Sequence, residues 1–417
     1  MLKSETMTAV ADLCAFIDAS PSPFHAVATA ALRLDAAGFT RLDEAAAWPS
    51  DAGRGRGYVV RDGALVAWAS EGSSEGWRIV GAHTDSPNLR VKPRPDTGRA
   101  GARQLAVEPY GGVLLNSWLG RDLGLSGRVA LTDGTLALFQ VDEPVLHIPQ
   151  LAIHLDREIG TAGLQLNAQQ HLVPIWGVGG PEEGAFRSFL AERLDVDAAS
   201  VVAWDVMTHD LAPATTAGRD GELVSAPRLD NLCSAWAAID GLLRADRGVV
   251  ALWDHEEIGS ETNRGAGSPM LPTVLERISG ADREALHRAL AQSICLSADM
   301  AHATHPNYSE RHEPGHWITL GGGPVIKTNV NQRYATDARS AQACVAACTK
   351  AGVTPQWYAH RADMPCGSTI GPITAAKLGI PVVDIGAPQL AMHSARELMA
   401  TADVAPYRDV LQAFLAG

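Results

Sequence analysis

Residues 248–260 read GVVALWDHEEIGS, an apolar run that ends abruptly in charged residues. The first six residues, 248–253, have the length and the Val/Ala/Leu composition of a buried β-strand. Two adjacent carboxylates, Glu256 and Glu257, follow, and a glycine comes soon after. Such carboxylates repel each other unless a cation or a shared proton offsets the repulsion. The segment therefore predicts either a metal-binding strand end, with one ligand and one base, or a solvated acidic loop.

The chain on both sides of this segment alternates between strand and helix patterns from residue 228 to its end. The predicted helices cover 229–243, 268–291 (with a break), 336–350 and 368–378, and the predicted strands cover 248–253, 294–298, 355–359 and 381–385. Such alternation is typical of an α/β sheet with helices on both faces. We therefore predict a mixed-sheet α/β domain.

Four further segments place ligand-type side chains where a predicted element begins or ends. A predicted strand ends in His83, and Asp85 follows two residues later. Asp230 opens a predicted helix, Asp299 follows a predicted strand, and His393 lies where we predict the start of another helix. Ligands of α/β sheets bind beyond the carboxyl ends of strands, so these side chains are candidates for one site. Taken singly, a structural His–Asp hydrogen bond explains a segment such as His83–Asp85 equally well.

Together with the two glutamates, these segments offer scattered nitrogen and oxygen donors rather than closely spaced thiolates. A structural zinc site has local spacing and sulfur ligands, which this pattern lacks. Many carboxylates favour a catalytic centre with two metal ions bridged by one aspartate and by a water, as in two-metal aminopeptidases.

The composition is that of a globular protein of 417 residues, with 46% hydrophobic and 19% charged residues. The formal net charge of −13 argues against nucleic acid and anionic membranes as main partners. Six cysteines are too few for a disulfide scaffold, and no apolar run reaches the ~18–20 residues of a membrane span. We therefore expect a cytoplasmic protein with reduced thiols.

The sequence pattern changes between about residues 91 and 222, where proline and glycine separate short segments that resemble β-strands. We predict a catalytic domain formed by residues 1–91 plus 222–417. The predicted inserted domain, 92–221, is rich in β-strands.

Taken in order, these segments resemble those of the aspartyl aminopeptidases, which are dinuclear zinc metallopeptidases of the cytosol. The resemblance extends over nearly the whole chain. The segments that carry it are SPSPFH (20–25), HTDSP (83–87), LAIHL (151–155), HLVPI (171–175), PRLDNL (227–232), DHEEIGS (254–260), SADMAH (297–302), GPVIK (323–327) and MHS (392–394).

The resemblance implies two divalent metal ions per subunit, Zn²⁺ with Co²⁺ or Mn²⁺ as alternatives. Asp230 would bridge them, with His83 and Asp299 completing one site and Glu257 and His393 the other.

For the reaction, the resemblance implies hydrolysis of the peptide bond after an N-terminal Asp or Glu. Glu256 would be the general base that activates a water bridging the metals, and Asp85 would hold the second ring nitrogen of His83.

Substrate-binding residues are also implied. Lys327 would bind the carboxylate of the N-terminal acidic side chain, with Tyr334 in the same pocket and Arg333 as a weaker candidate. Without the resemblance, Lys327 reads as a solvated surface lysine. His154, from a neighbouring subunit, would help to stabilise the transition state.

Similar enzymes form homo-oligomers of twelve subunits, so the resemblance implies a dodecamer in which the inserted domain mediates subunit contact and covers the site. Two alternatives stay open. One is a broad or neutral aminopeptidase, or a deacylase on the same scaffold. The other is a catalytically silent assembly or peptide-binding protein.

Overall fold

The computed structural model describes residues 2–70, 76–280 and 282–417, with side chains from residue 5 onward. Its helices are α1 Leu2–Asp18, α2 Pro23–Ala36, α3 Ile159–Ala162, α4 Ala168–His171, α5 Ala185–Leu194, α6 Leu229–Ala245, α7 Met270–Ile278, α8 Arg283–Gln292, α9 Ala338–Lys350, α10 Ile370–Leu378 and α11 Thr401–Ala416. None of the helices within these described ranges is long and apolar enough to cross a bilayer.

The strands are β1 Thr40–Arg41, β2 Gly55–Arg61, β3 Ala64–Ser70, β4 Arg78–His83, β5 Asn88–Arg99, β6 Ala102–Tyr110, β7 Asp122–Leu131, β8 Leu136–His147, β9 Ile175–Val178, β10 Val201–Asp210, β11 Thr215–Ala217, β12 Leu223–Ala226, β13 Gly248–Trp253, β14 Ile294–Ala298, β15 Ala301–His302, β16 Val325–Thr328, β17 Gln356–Ala359, β18 Val382–Gly386, β19 Pro388–Leu390 and β20 Glu397–Ala400.

The chain divides into two compact units. The first comprises residues 1–85, 214–392 and 397–417, and the second comprises residues 86–213 and 393–396. The sequence predicts an inserted domain at 92–221, and its assignment to subunit contact and to covering the site stays a prediction.

A nine-stranded mixed sheet organises the first unit, in the order β1-β2-β3-β13-β4-β14-β18-β16-β17. Its central strands β13, β4, β14 and β18 run parallel to one another. Side chains of β13 alternate between two apolar clusters: Val250 and Leu252 pack with α6 and α11, whereas Val249 and Ala251 pack with α7 and α10. A sheet covered on both faces explains why β13 is apolar throughout. The prediction of a mixed α/β fold is confirmed.

The second unit is built around a closed barrel in the order β10-β5-β6-β9-β8-β7. Alternate side chains of its strands, among them Leu123, Leu125 and Phe139, form its apolar core. Gly127 shows how closely β7 approaches β10, since a Cβ there would lie 2.0 Å from the carbonyl oxygen of Asp205. Its φ of +148° also favours glycine.

The helix with a break predicted at 268–291 corresponds to two helices, α7 and α8, and residue 281 between them lies outside the described residues. One local prediction differs from the structure. No helix begins at His393: the described chain turns through residues 391–396 and continues as β20. Ala391 and His393 have φ of +57° and +66°, and a right-handed helix requires negative φ.

Candidate metal centre

Three neighbouring strands of the first unit end in polar residues, or are directly followed by them, at one edge of the sheet. β4 ends in His83, β13 leads directly to Glu256 and Glu257, and β14 leads to Asp299. Because these strands are parallel, with Trp253 opposite His83, their carboxyl ends meet at the same edge. This register explains how residues more than 200 positions apart in sequence share one site.

His83 lies at the centre of this cluster. Its Nε2 is 3.4 Å from Oδ1 of Asp230 and 3.6 Å from Oδ1 of Asp299. One ligand atom each from His83, Asp230 and Glu257 lie within 4.8 Å of one another. His83 is only 1% exposed and Asp230 only 3%. The structure thus brings four of the five predicted ligands together in the first unit.

Asp230 reaches the cluster because the chain departs from helical geometry at the start of α6. Asp230 has φ −84° and ψ 103°, and Asn231 is also non-helical, so regular helix begins only after them. The side-chain amide of Asn231 donates to the carbonyl oxygen of Ala298, 2.8 Å away, at the end of β14. This bond links the start of α6 to the strand that precedes Asp299.

Asp85 is fully buried and holds the two glutamates through their backbone. Its carboxylate oxygens accept hydrogen bonds from the backbone N–H of Glu256 at 3.2 Å and of Glu257 at 3.1 Å. Nδ1 of His83 lies 3.0 Å from the carbonyl oxygen of Asp85 and 3.4 Å from its Oδ1. The carbonyl oxygen of Asp85 is therefore the nearer partner of Nδ1, which directs Nε2 toward Asp230 and Asp299.

The electrostatics of the cluster show an excess of buried negative charge. Burial raises the pKa of Glu256 to about 8, the nearby His83 lowers it, and Asp299, Asp85 and Asp230 raise it. Burial lowers the pKa of His83, but hydrogen bonds with Asp230, Asp299 and Asp85 raise it well above its usual value. Carboxylates crowded in this way require positive charge close by.

The donor set fits a divalent cation. It consists of one imidazole nitrogen and several carboxylate oxygens, which are ligands that Zn²⁺ and Mn²⁺ accept. The separations of 3.4 and 3.6 Å between Nε2 of His83 and the two aspartates exceed a normal hydrogen bond, yet they suit atoms that share an ion.

Lys327 lies beside the cluster and is 2% exposed. Its Nζ donates to the carbonyl oxygens of Asp299 at 2.9 Å and Met300 at 3.1 Å, and it lies 3.6 Å from Oδ2 of Asp299. Tyr334 is also buried, with its ring centroid 5.1 Å from Nζ. Burial raises the pKa of the Tyr334 hydroxyl. Lys327 is thus a buried lysine rather than the surface lysine of the alternative interpretation.

The remaining two predicted site residues belong to the second unit. His393 is partly exposed, and its Nδ1 donates to the carbonyl oxygen of Gly112, 3.0 Å away. That bond leaves Nε2 as the nitrogen that can ligate a metal. His154 lies in a short 3₁₀ turn, Ile153–Leu155, and is exposed. The roles of both histidines stay predictions.

Two buried carboxylates near the cluster were missed by the sequence analysis. Glu397 accepts a hydrogen bond of 2.9 Å from the backbone N–H of Asp230. Asp384 accepts from the backbone N–H of Ala335 at 2.6 Å and from the hydroxyl of Thr369 at 2.5 Å. Asp384 interrupts an apolar strand, which is a visible signal, whereas nothing in the sequence around Glu397 marks it.

A family model described as aminopeptidase I zinc metalloprotease (M18) matches residues 16–415. The chain belongs to the M18 family of peptidases. A probable M18 family aminopeptidase 2 from Streptomyces avermitilis is 53% identical over 421 residues, which cover 97% of this chain and 97% of that protein. The resemblance found in the sequence is therefore confirmed at the level of the M18 family.

Solved structures agree with this membership. A chain in the cryo-EM structure of the Ape4 and Nbr1 complex is 34% identical, with a TM-score of 0.94 over 99% of this chain and 86% of that chain. The mApe1 dodecamer of S. cerevisiae is 27% identical, with a TM-score of 0.84 over 97% of this chain and 95% of that chain. This M18 chain is thus an aminopeptidase of a zinc metalloprotease family, which implies a divalent metal cofactor.

Proposed function

We propose that this M18 aminopeptidase removes N-terminal Asp or Glu from peptides, with Glu256 as its general base. The observation that supports the chemistry most is the convergence of ligand atoms from His83, Asp230 and Glu257 within 4.8 Å, beside Glu256. The acidic preference is supported by a buried ammonium, that of Lys327, next to the same cluster.

The proposed metal content is two divalent ions per subunit, Zn²⁺ with Co²⁺ or Mn²⁺ as alternatives. Asp230 would bridge the ions, His83 and Asp299 would hold one, and Glu257 and His393 the other. When bound, such ions polarise the peptide carbonyl and increase the acidity of the attacking water.

The chain itself supplies the proton transfers. Glu256 takes the proton from the attacking water and delivers it to the leaving amine, which contributes roughly 10²–10⁴-fold to the rate. Asp85 keeps Glu256 and Glu257 in place through their backbone N–H groups. The free α-amine of the peptide would bind a metal or a nearby carboxylate, which would restrict cleavage to the first residue.

For the acidic side chain, the proposed partners are Lys327 and Tyr334. The ammonium of Lys327 already donates to two carbonyl oxygens and lies near the carboxylate of Asp299. Few donors of Lys327 are therefore left for substrate. This observation favours a second candidate function, that of a broad aminopeptidase without a preference for acidic residues.

The test compares Asp-, Glu-, Ala- and Leu-peptides in the presence of Zn²⁺, Co²⁺ or Mn²⁺. We expect the highest kcat/KM for Asp and Glu peptides, and a selective loss for them in Lys327→Ala. A clear preference for Leu peptides would eliminate the acidic specificity and leave the broad aminopeptidase.

We further propose a homo-oligomer, a dodecamer by analogy with the S. cerevisiae mApe1 structure, in which residues 92–221 mediate contact and cover the site and His154 serves a neighbouring subunit. Mixing inactive His154→Ala and Glu256→Gln subunits under exchange conditions should restore activity, because some sites then receive both residues. Mixed oligomers without any activity would show that His154 acts within its own subunit, and a His154→Ala enzyme that is fully active by itself would show that His154 has no role in the reaction. A cytoplasmic location without nucleic-acid or membrane partners completes the proposal, since the chain is acidic.

A further inference from the structure

A cavity of about 620 Å³ lies in the first unit, beyond the end of β16. Its wall includes Thr328, the turn at residues 329–333 and part of the chain that follows β17. Lys327 and Thr328 are consecutive in β16, so their side chains leave the strand on opposite sides. Lys327 faces the metal-ligand cluster, whereas Thr328 faces the cavity. The volume is in the range of small-molecule binding sites.

The charge of the cavity is opposite to that of the protein. Arg333 and Arg361 line it, and no Asp or Glu is among the described residues of its wall. The whole chain, by contrast, has 47 acidic against 34 basic residues. Arg361 is paired with Asp363 at 2.6 Å, so Arg333 is the positive group of the wall that favours a negatively charged ligand.

Arg333 is the group best prepared to bind such a ligand. Its side chain is exposed and, within the ranges that the structure describes, its guanidinium makes no hydrogen bond or ion pair. The backbone N–H of Arg333 and that of Asn331 bond to Oδ1 of Asn329, which fixes the turn. An arginine fork matches a carboxylate through two parallel hydrogen bonds.

His360 adds a second donor. The hydroxyl of Tyr358 lies 2.7 Å from its Nδ1. With the hydroxyl as the donor of this bond, the ring proton of His360 is on Nε2, which is buried and has no hydrogen-bond partner among the described residues. An unsatisfied buried N–H is costly unless a ligand accepts its hydrogen bond.

The position of the cavity indicates which part of a peptide reaches it. Tyr334 lies beside both the metal-ligand cluster and the cavity: its ring centroid is 5.1 Å from Nζ of Lys327, and it packs in one small apolar cluster with Cys366 of the cavity wall. The proposed pocket for the first side chain is on the Lys327 side of this ring. An extended chain covers about 3.3–3.6 Å per residue, so a group two or three residues further along can reach beyond the ring.

We infer that this cavity binds a carboxylate of the peptide substrate beyond the scissile bond, through Arg333 with His360. This inference rests on the proposed aminopeptidase function and extends it to a second specificity site. The carboxylate belongs either to an acidic side chain near the third residue or to the free C-terminus of a short peptide.

The experiment compares kcat/KM for three peptides that share Asp-Ala at the start: Asp-Ala-Ala-Ala amide, Asp-Ala-Glu-Ala amide and Asp-Ala-Ala with a free C-terminus. Charge-assisted bonds to Arg333 should give one or both of the last two about a tenfold advantage over the first. An advantage of the Glu peptide alone assigns the site to side chains, and an advantage of the free acid alone assigns it to the chain end.

In Arg333→Ala this advantage should fall to about one, and in Arg333→Glu it should reverse. Arg339→Ala is the matched control, since Arg339 is an exposed arginine of α9 outside the cavity, and it should keep the advantage. Equal kcat/KM for the three peptides with the unsubstituted enzyme, or an unchanged advantage in Arg333→Ala, would overturn the inference.

A binding measurement separates this inference from the proposed function. Acetyl-Ala-Glu-Ala amide should bind the metal-loaded protein more tightly than acetyl-Ala-Gln-Ala amide in calorimetry, and Arg333→Ala should remove the difference. This result does not depend on hydrolysis or on a preference for an acidic first residue. Equal affinities for the two blocked peptides would contradict the cavity assignment even if Asp peptides are cleaved fastest.

Discussion

At the scale of single residues, adjacent positions at one strand end have different surroundings. Glu257 contributes an atom to the ligand cluster with His83 and Asp230, whereas Glu256 is not part of that group. The same carboxylate, that of Asp85, bonds to the backbone of both glutamates and so fixes their relative orientation. Neighbouring carboxylates can therefore have different surroundings, as the proposed roles of ligand and base require.

The first prediction concerns Glu256. Replacing it with Gln should lower kcat by about 10²–10⁴-fold, because the amide cannot take the proton from the attacking water. Metal content, measured by inductively coupled plasma mass spectrometry, should not change. Glu261→Gln, which alters an exposed glutamate of the same loop, should leave kcat unaffected. A Glu256→Gln enzyme with kcat close to that of the unsubstituted enzyme would contradict the assignment of the base.

The second prediction concerns Glu397, whose Oε2 accepts the backbone N–H of Asp230 and whose Oε1 lies 3.4 Å from the Nε2 of Gln389. Glu397→Gln keeps an acceptor for Asp230, provided that the amide of Gln389 turns over. Glu397→Leu removes the acceptor and leaves a buried N–H unsatisfied, at a cost of about 1–3 kcal/mol.

We expect Glu397→Leu to weaken zinc affinity by roughly 10–100-fold, measured by competition with a chelator, and Glu397→Gln to weaken it much less. Equal affinities in both variants would show that Glu397 does not position Asp230.

At the scale of elements, α11 is connected to the loop that precedes β16. Asp403, in the first turn of α11, accepts the backbone N–H of Gly321 at 2.7 Å and of Gly323 at 2.9 Å. A carboxylate in this turn also interacts favourably with the helix dipole. The contact ties a C-terminal helix to the strand that carries Lys327.

The third prediction follows from the titration of Asp403. Burial raises its pKa from 3.8 to about 6, although the N–H groups of Gly321 and Gly323 lower it. The folded state thus binds this proton more tightly than the unfolded state. The bound proton therefore stabilises the folded state. This stabilisation is fully present below the pKa of the carboxyl in the unfolded chain, 3.8, and is lost as pH rises through about 6.

Asn does not titrate, so Asp403→Asn does not lose this stabilisation. The free energy of unfolding of Asp403→Asn minus that of the unsubstituted protein should therefore rise by roughly 2–3 kcal/mol between pH 4 and pH 7.5. Urea denaturation at several pH values measures it. A difference between the two proteins that is independent of pH would show that the buried carboxyl does not titrate in this range.

At the scale of the whole molecule, the buried carboxylates predict a strong link between metal binding and stability. In the absence of metal, the first unit must hold Asp85, Asp230, Glu256, Glu257 and Asp299 close together, with His83 and Lys327 as nearby positive groups. A ligand that binds only the folded state stabilises it by RT ln(1 + [L]/Kd).

The fourth prediction is that removal of metal by a chelator abolishes activity and lowers the Tm, and that added Zn²⁺ restores both. At free metal 100 times its Kd, the gain should be about 2.7 kcal/mol per site. Scanning calorimetry measures the Tm, and titration should reach two ions per chain. A stoichiometry of one, or a Tm that does not change with metal, would contradict the two-metal proposal.

The sequence by itself determined the strand and helix pattern of the sheet, the M18 resemblance and the residues that end β4, β13 and β14. The strand and helix pattern and the strand-end residues depend on local composition and period, because a strand buried on both faces must be apolar and its polar residues must lie at its ends. For this reason the apolar strand before Glu256 could be predicted from thirteen residues.

Only the tertiary structure decided which backbone groups and buried charges surround those residues. The turn at His393, the hydrogen bond from Asp230 to Glu397, the engagement of Lys327 by two carbonyl oxygens and the cavity at Arg333 all join residues that are distant in sequence or depend on single backbone angles. Composition and period contain no information about such pairs, because they form only when the strands pair and the helices pack.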